Sequence, residues 1–412
     1  MRFGHEEWEL LEKINFVRVS GTSEELKAAE LLKKELEEIG CEATIEPFEV
    51  LSHQIETAEL KSENHTYHVT AYGQCADFEG EACFAYVQGD DEVSLAKAKG
   101  KIVLVYNSYV GYKLYEKLVQ AGAVGLISCS GRYYDADDEV YVDERELRQK
   151  MIDLKRLPAV HMHVKEAMQL MEEKPKKLYL HTKQTYGTTH SHNVICEIKG
   201  TTKADEVIVL TAHYDSVPFS NGVYDNGAGS VILMALAKYF KQYAPSRTLR
   251  FIWCGSEERG LLGSQAYVKD HEEELKDVVL NINVDVAGPI LGVERIMAMS
   301  EMSLVHMVEC LAKEKGFAAK ITQDTYSSDG ISFAEHGIPS ITFARFGDNH
   351  YSANIHSNLD QLDFMSASSL DNTTEIVLMF MQRLLDSEVF PIKKVIPEEM
   401  KKKVEEYLAN MK

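Results

Sequence analysis

Six residues in the second half of the chain carry most of the candidate chemistry. They are His213, Asp225, Glu257, Glu258, Asp285 and His356. Histidine nitrogens and carboxylate oxygens together suit zinc, with manganese and cobalt as alternatives. If one carboxylate is shared, the same donors suit two ions ~3.5–4 Å apart. Taken singly, each residue reads as an ordinary loop polar group, and Glu257-Glu258-Arg259 reads as a solvated charge run. Their coincidence at the ends of successive apolar segments is the signal.

Those segments must be positioned by a sheet. Val207–Ala212, Leu249–Cys254, Val278–Asp285 and Ile338–Phe343 are near-continuous apolar runs expected as strands. Helical patterns at Gly229–Tyr243, Leu261–Tyr267, Ser303–Lys315 and Ser328–His336 separate or flank them. This predicts an α/β fold: a mostly parallel central sheet with helices on both faces. Ligands then bind beyond the carboxyl ends of the strands. His213 ends one strand, Glu257 and Glu258 follow the next, and Asp285 ends a third. His356 follows a fourth, and Asp225 precedes the Gly227-Ala-Gly229 helix start.

The N-terminal part contributes a helix at 7–18, an amphipathic helix from Ser23 to Ile39 stopped by Gly40, and a strand at Ala43–Val50. From about residue 52 the segments shorten and become strand-like, with a strand at Leu178–Thr182 before a polar run through Thr189. His161 and His163 sit two apart on one expected strand and could bind metal from one face, but they lie in the strand-rich segment, apart from the strand-end acids. They read as structural, as do His190 and His192. Tyr133–Tyr141 reads as a solvated acidic loop. A long helix is expected at Ala367–Leu385. Pro397–Lys412 is an amphipathic helix, either packed or an oligomer contact, and the oligomeric state is left open.

Composition narrows the class. The 45% apolar and 26% charged residues are ordinary for a soluble globular protein. The net charge of −21 argues against nucleic acid and anionic membrane surfaces. No apolar run approaches the ~20 residues that span a bilayer, and the first residues lack a signal-peptide pattern. The seven cysteines have no C-x-x-C spacing. Reduced thiols and a cytoplasmic location are expected.

The motifs A-H-Y-D-S (212–216), Y-D-N-G-A-G (224–229), G-S-E-E-R-G-L-L-G-S (255–264), N-V-D-V-A-G (283–288) and I-H-S-N-L-D (355–360) occur in order. As a set this resembles the co-catalytic dizinc aminopeptidase family of the bacterial leucyl aminopeptidase and aminopeptidase Y type. The resemblance covers residues 193–385 and the helix at 23–39. Residues 53–185 resemble the protease-associated domain inserted in such enzymes, through Lys99–Val105, Ala121–Ile127 and Leu157–Val160. The implied domains are 1–52 with 186–412, and 53–185, the latter restricting access or aiding oligomerisation.

The resemblance implies a peptide-hydrolysing exopeptidase with two divalent ions, most simply zinc. His213 and Asp285 would bind one ion, Glu258 and His356 the other, and Asp225 both. The Asp225–Asn226 bond would be cis, which is uncommon outside proline. Asp215 would orient His213, and Glu257 would be the general base. Tyr326 falls near the oxyanion-stabilising tyrosine of relatives, with Tyr351 the second choice. Relatives show Ser-Asp-His where this chain has Ser328-Asp329-Gly330. The other readings are a carboxypeptidase or dipeptidase of the same superfamily, or a non-catalytic receptor or scaffold. A scaffold would normally lose ligands and carry an anchor; neither is seen in this sequence.

Overall fold

Alternation along the strand Lys203–His213 sets the layer order of the larger part of the chain. Ile208, Leu210 and Ala212 enter one hydrophobic core, while Val207 and Val209 enter another. Successive side chains of a strand point to opposite faces, so both faces of this strand are covered. The first core takes Ala28 and Leu32 from the helix Ser23–Glu38, Val231 to Phe240 from Ala228–Gln242, and Leu370 to Leu384 from Ala367–Leu385. The second takes Tyr267 and Val268 from Leu262–Asp270 and Phe333 from Gly330–Glu335. These are the two helical layers that near-continuous apolar strands require.

The computed structural model describes residues 3–106, 110–136, 142–347 and 355–411. The chain divides into two units, one of Met1–Val50 with His190–Glu406, the other of Leu51–Thr189 with Tyr407–Lys412. In the first unit the strand order is Lys320–Thr322, Val293–Met299, Ser340–Phe346, Val278–Val284, Lys203–His213, Arg247–Cys254, then the end of Lys177–Ile198. The four strands from Ser340–Phe346 to Arg247–Cys254 are mutually parallel, with Cys254 beside His213 and Asn283 beside Thr211 and Thr342. Val293–Met299 and Val194–Ile198 flank them antiparallel. The carboxyl ends of the four parallel strands thus share one edge.

Several element boundaries differ from the sequence expectation. The first helix is Gly4–Lys13 and does not reach residue 18. The carbonyls that would continue it, those of Ile14 and Phe16, accept from the Arg18 guanidinium instead. The polar run before Thr189 lies within one long strand, Lys177–Ile198. Val293–Met299 is a strand with no announcement in the sequence, because a flanking strand needs no continuous apolar run. In the terminal helix Glu398–Met411, Met400 and Val404 are buried, so that face is packed.

The second unit is more than a set of short strands. Phe78–Val87, Lys101–Val105, Gly125–Ser130 and Ala159–His163 are parallel neighbours in that order. Val103, Val105 and Leu126 line one core, and Ile102, Leu104 and Ile127 the other. It is itself an α/β layer, with helices at Tyr112–Gln120 and Val164–Glu173.

Candidate metal centre

Asp225 is the centre of the cluster. Its Oδ1 lies 3.0 Å from His213 Nε2 and its Oδ2 lies 2.9 Å from His356 Nε2. Each carboxylate oxygen therefore faces a different imidazole. Asp285 Oδ1 is 3.5 Å from His213 Nε2, and Glu258 Oε2 is 3.2 Å from His356 Nε2. The donors thus fall into two groups of three: His213, Asp225 and Asp285, and Asp225, Glu258 and His356. Atoms that share one zinc at about 2.0–2.2 Å must lie some 3 Å apart, so the spacing fits two ions joined by one carboxylate. Asp285 Oδ1 is buried without a hydrogen bond, as an oxygen reserved for a cation would be. Among the described residues no other such group of histidine, cysteine and acid side chains occurs, apart from His213 with Glu257 and Glu258.

Local backbone architecture explains how these side chains meet. His213 is the last residue of its strand. Asp225 sits in the turn Val223–Gly227 that leads into the helix Ala228–Gln242, and the Asp225–Asn226 peptide is cis, as the resemblance implied. The Asn226 side chain then staples helix to sheet. Its Nδ2 donates to Val284 O at 2.8 Å, while its Oδ1 accepts from Gly229 N and Val286 N. A Cβ on Gly229 would meet Val284 O and Asn226 at 2.5 Å, so only glycine allows this approach. Asn226 therefore fixes Asp285, next to Val284, against the Asp225 turn. Sequence reasoning gave Asn226 no role, since its partners lie across the fold.

Asp215 does more than face His213, whose Nδ1 is 3.4 Å from its Oδ1. Its two oxygens also accept from the backbone N–H groups of Glu257 at 3.0 Å and Glu258 at 3.3 Å. One buried carboxylate thus links the strand end that carries His213 to the turn that carries both glutamates. Glu257 belongs to neither group containing Asp225.

Electrostatics follow from this crowding. Burial alone would lower the His213 imidazolium, but Glu257 and the contacts to Asp215, Asp225 and Asp285 hold it well above its ordinary value. Burial raises the Glu257 carboxyl well above the usual carboxylate range; His213 opposes this, and Glu258 and Asp285 add to it. Tyr326 packs edge-on against Phe346 at 5.7 Å. Its phenol is raised well above normal by burial and by the charges of Asp285, Asp225 and Glu257. Tyr351 lies outside the described residues. His190 and His192 join no such cluster.

The departure at Ser328-Asp329-Gly330 has a steric reason. A Cβ at Gly330 would meet Ser340 Oγ at 2.4 Å and Asn281 Oδ1 at 3.2 Å, so a histidine has no room there. Asp329 remains, fully buried, with its carboxyl raised to about 7 by burial, opposed by His213 and helped by Asp285.

Comparison with known proteins agrees with this geometry. Residues 193–381 match the model of peptidase family M28. The chain is 28% identical to aminopeptidase YwaD of Bacillus subtilis over 96% of its own length and 87% of that protein. It is 33% identical to a vacuolar membrane protease of Saccharomyces cerevisiae over 187 residues, 44% of this chain and 18% of that one. The solved structure of BSAP, a zinc aminopeptidase from Bacillus subtilis, superposes with a TM-score of 0.77, 24% identity and coverage of 96% and 98%. An aminopeptidase from Aneurinibacillus sp. strain AM-1 gives 0.76, 22% identity and 96% of each chain. Those two likenesses establish the fold. The stretch that matches the family model, residues 193–381, holds the motifs of the candidate centre in order and is a little under half of the chain.

Proposed function

We propose that the chain is a zinc-dependent aminopeptidase that removes N-terminal residues from peptides. The observation that carries this is Asp225, which turns one oxygen to each of two histidines, each backed by a further carboxylate. In this reading His213 and Asp285 hold one ion, Glu258 and His356 the other, and Asp225 both. When bound, the two ions polarise the scissile carbonyl and lower the pKa of a shared water. Glu257 takes that water's proton and later delivers it to the departing amine. Asp215 keeps Glu257 and Glu258 in register through their amides. Tyr326 is the proposed donor to the developing oxyanion, supported by the charges of Asp285, Asp225 and Glu257 that act on its phenol. The match of residues 193–381 to the peptidase family M28 model, and the full-length likeness to a relative named as an aminopeptidase, support exopeptidase action.

The unit Leu51–Thr189 is proposed as a protease-associated insertion, on its parallel strands and two-sided core. A cytoplasmic location is part of the same reading, supported by seven cysteines none of which is in a disulfide. No helix among the described residues is long and apolar enough to cross a membrane.

The test is a panel of aminoacyl anilides with free and acetylated N-termini, with metal analysis of the same protein. Free amines are cleaved, acetylated ones are not, and about two ions are found per chain. Equal cleavage of both, or unchanged turnover after exhaustive chelation, would overturn the reading.

A further inference from the structure

Tyr214 to Gly222, between His213 and Asp225, contains no helix or strand. Tyr214 and Ser216 are buried, so this backbone must find partners inside the protein. Arg18, itself 0% exposed, supplies them. Its Nε donates to Tyr214 O at 2.6 Å, Nη1 to Asn221 O at 2.5 Å and Nη2 to Gly222 O at 3.0 Å. The backbones join as well: Arg18 N donates to Ser216 Oγ at 3.0 Å, and Ser216 N to Arg18 O at 3.1 Å. No carboxylate lies within ion-pair distance of Arg18 among the described residues, so its fork is spent on carbonyls. A guanidinium keeps its charge when buried and presents five donors in a fixed plane.

The opposite polarity is handled from the opposite side. Asp360, also 0% exposed, accepts from Tyr224 N at 2.8 Å through Oδ1 and from Asp225 N at 3.1 Å through Oδ2. Asp360 belongs to the same short segment as His356. A buried cation therefore gathers the carbonyls on one side of Asp225, and a buried anion gathers the amides at Asp225 itself.

We propose that Arg18 and Asp360 are a pair of positioning residues that hold the bridging Asp225 in register with His213 and His356. Arg18 ties the loop after His213 to the N-terminal segment. Asp360 ties the Asp225 backbone to the segment that brings His356. Neither side chain touches the ions or the substrate. This rests on the metal-centre reading above, and the experiment separates the two.

The full-length protein is stripped of metal and titrated with cobalt(II), with the visible absorption spectrum, stoichiometry and affinity recorded. Asp360→Asn keeps the shape but sets an amide NH2 against one of the two backbone N–H groups. Arg18→Lys keeps the charge but loses the planar fork. Both variants are expected to bind cobalt about 10- to 100-fold more weakly, with an altered spectrum. Arg247→Lys is the control. Arg247 is equally buried and donates to the carbonyls of Leu384, Leu385 and Ser387 at the start of the strand Arg247–Cys254, the end away from the site. It should lower the melting temperature and leave the cobalt spectrum unchanged. Wild-type affinity and spectrum in both site variants overturn the pairing alone. A loss of affinity matched by an equal effect in Arg247→Lys, or explained by unfolding of the metal-free variants, also overturns it. A wild-type protein that takes up no cobalt overturns both this inference and the metal reading beneath it.

Discussion

Among the described residues each unit holds a buried histidine among polar partners, His161 in one and His213 in the other, and the two surroundings are built differently. In the second unit His161 is fully buried, with Ser128 Oγ 2.6 Å from Nδ1 and Ser130 Oγ 2.7 Å from Nε2. Tyr72 OH continues the chain to Ser128 Oγ at 2.6 Å. Its neighbour His163 meets Asp135 at 3.0 Å through Nε2 and accepts from Lys165 N through Nδ1. Burial, helped by Arg145 and His163, pushes the His161 imidazolium down to about 3. Each nitrogen of His161 has one hydroxyl, which can donate or accept as the tautomer requires. The ring is satisfied as a neutral group.

At the metal centre the ratio is reversed. Two imidazoles face Asp225, Glu258 and Asp285, with Glu257 beside them. Acceptors and negative charge are in excess, and His213 is held well above its ordinary value by that excess. Buried charge needs a counter-charge. What separates the proposed ligand histidines from His161 is therefore the surplus of carboxylate oxygens around them. Burial does not make the distinction, since His213 is as deeply buried as His161.

The largest test of this contrast is Glu257→Gln. The substitution should retain bound metal and lower kcat about 10²- to 10⁴-fold, the range of a lost general base. Normal anilide hydrolysis by that variant would remove Glu257 from the reaction and leave the two clusters less distinct. A smaller effect is expected from His161→Ala. Ser128 and Ser130 each lose a partner, which costs about 1–3 kcal/mol of stability by denaturant unfolding. Cobalt stoichiometry and kcat should stay at the wild-type value. A fall in kcat as deep as that of Glu257→Gln would break the comparison.

The smallest test asks whether burial of an acid by itself signals chemistry. Glu7 is 2% exposed, and its carboxyl is raised from 4.5 to about 8 by burial, opposed by the Thr374 hydroxyl and helped by Asp371 and Glu6. The folded state then binds more protons than the unfolded state between those values. Stability from this group is full below about 4.5 and is lost as pH rises through about 8. Glu7→Gln removes the slope. Relative to wild type it should gain roughly 1 kcal/mol between pH 5 and pH 6, below the limit of about 1.4 kcal/mol per pH unit. Turnover should be unaffected. A wild-type stability that rises over this window would show that Glu7 is ionised in the folded protein.

Much of the site is legible in sequence because parallel sheets place ligands at strand ends. His213, Glu257, Glu258 and Asp285 each follow an apolar run, and the runs are long enough to read. Arg18, Asn226 and Asp360 carry no such mark. Their partners are backbone groups of residues up to 204 positions away, and a backbone carbonyl looks the same in every sequence. The first helix was read too long for the same reason, since Arg18 takes the carbonyls that would have extended it.

By itself, then, the sequence determined the α/β class, the order of the parallel strands' ends and the residue types gathered there. Periodicity and burial are local consequences of side-chain chemistry, and they can be read residue by residue. Only the tertiary structure decided that each oxygen of Asp225 faces a different histidine. It alone decided that Asp215 joins His213 to the Glu257 turn, and that His161 is matched by hydroxyls. Those outcomes depend on which groups, distant in the chain, come within hydrogen-bond reach, and spacing along the chain does not record them.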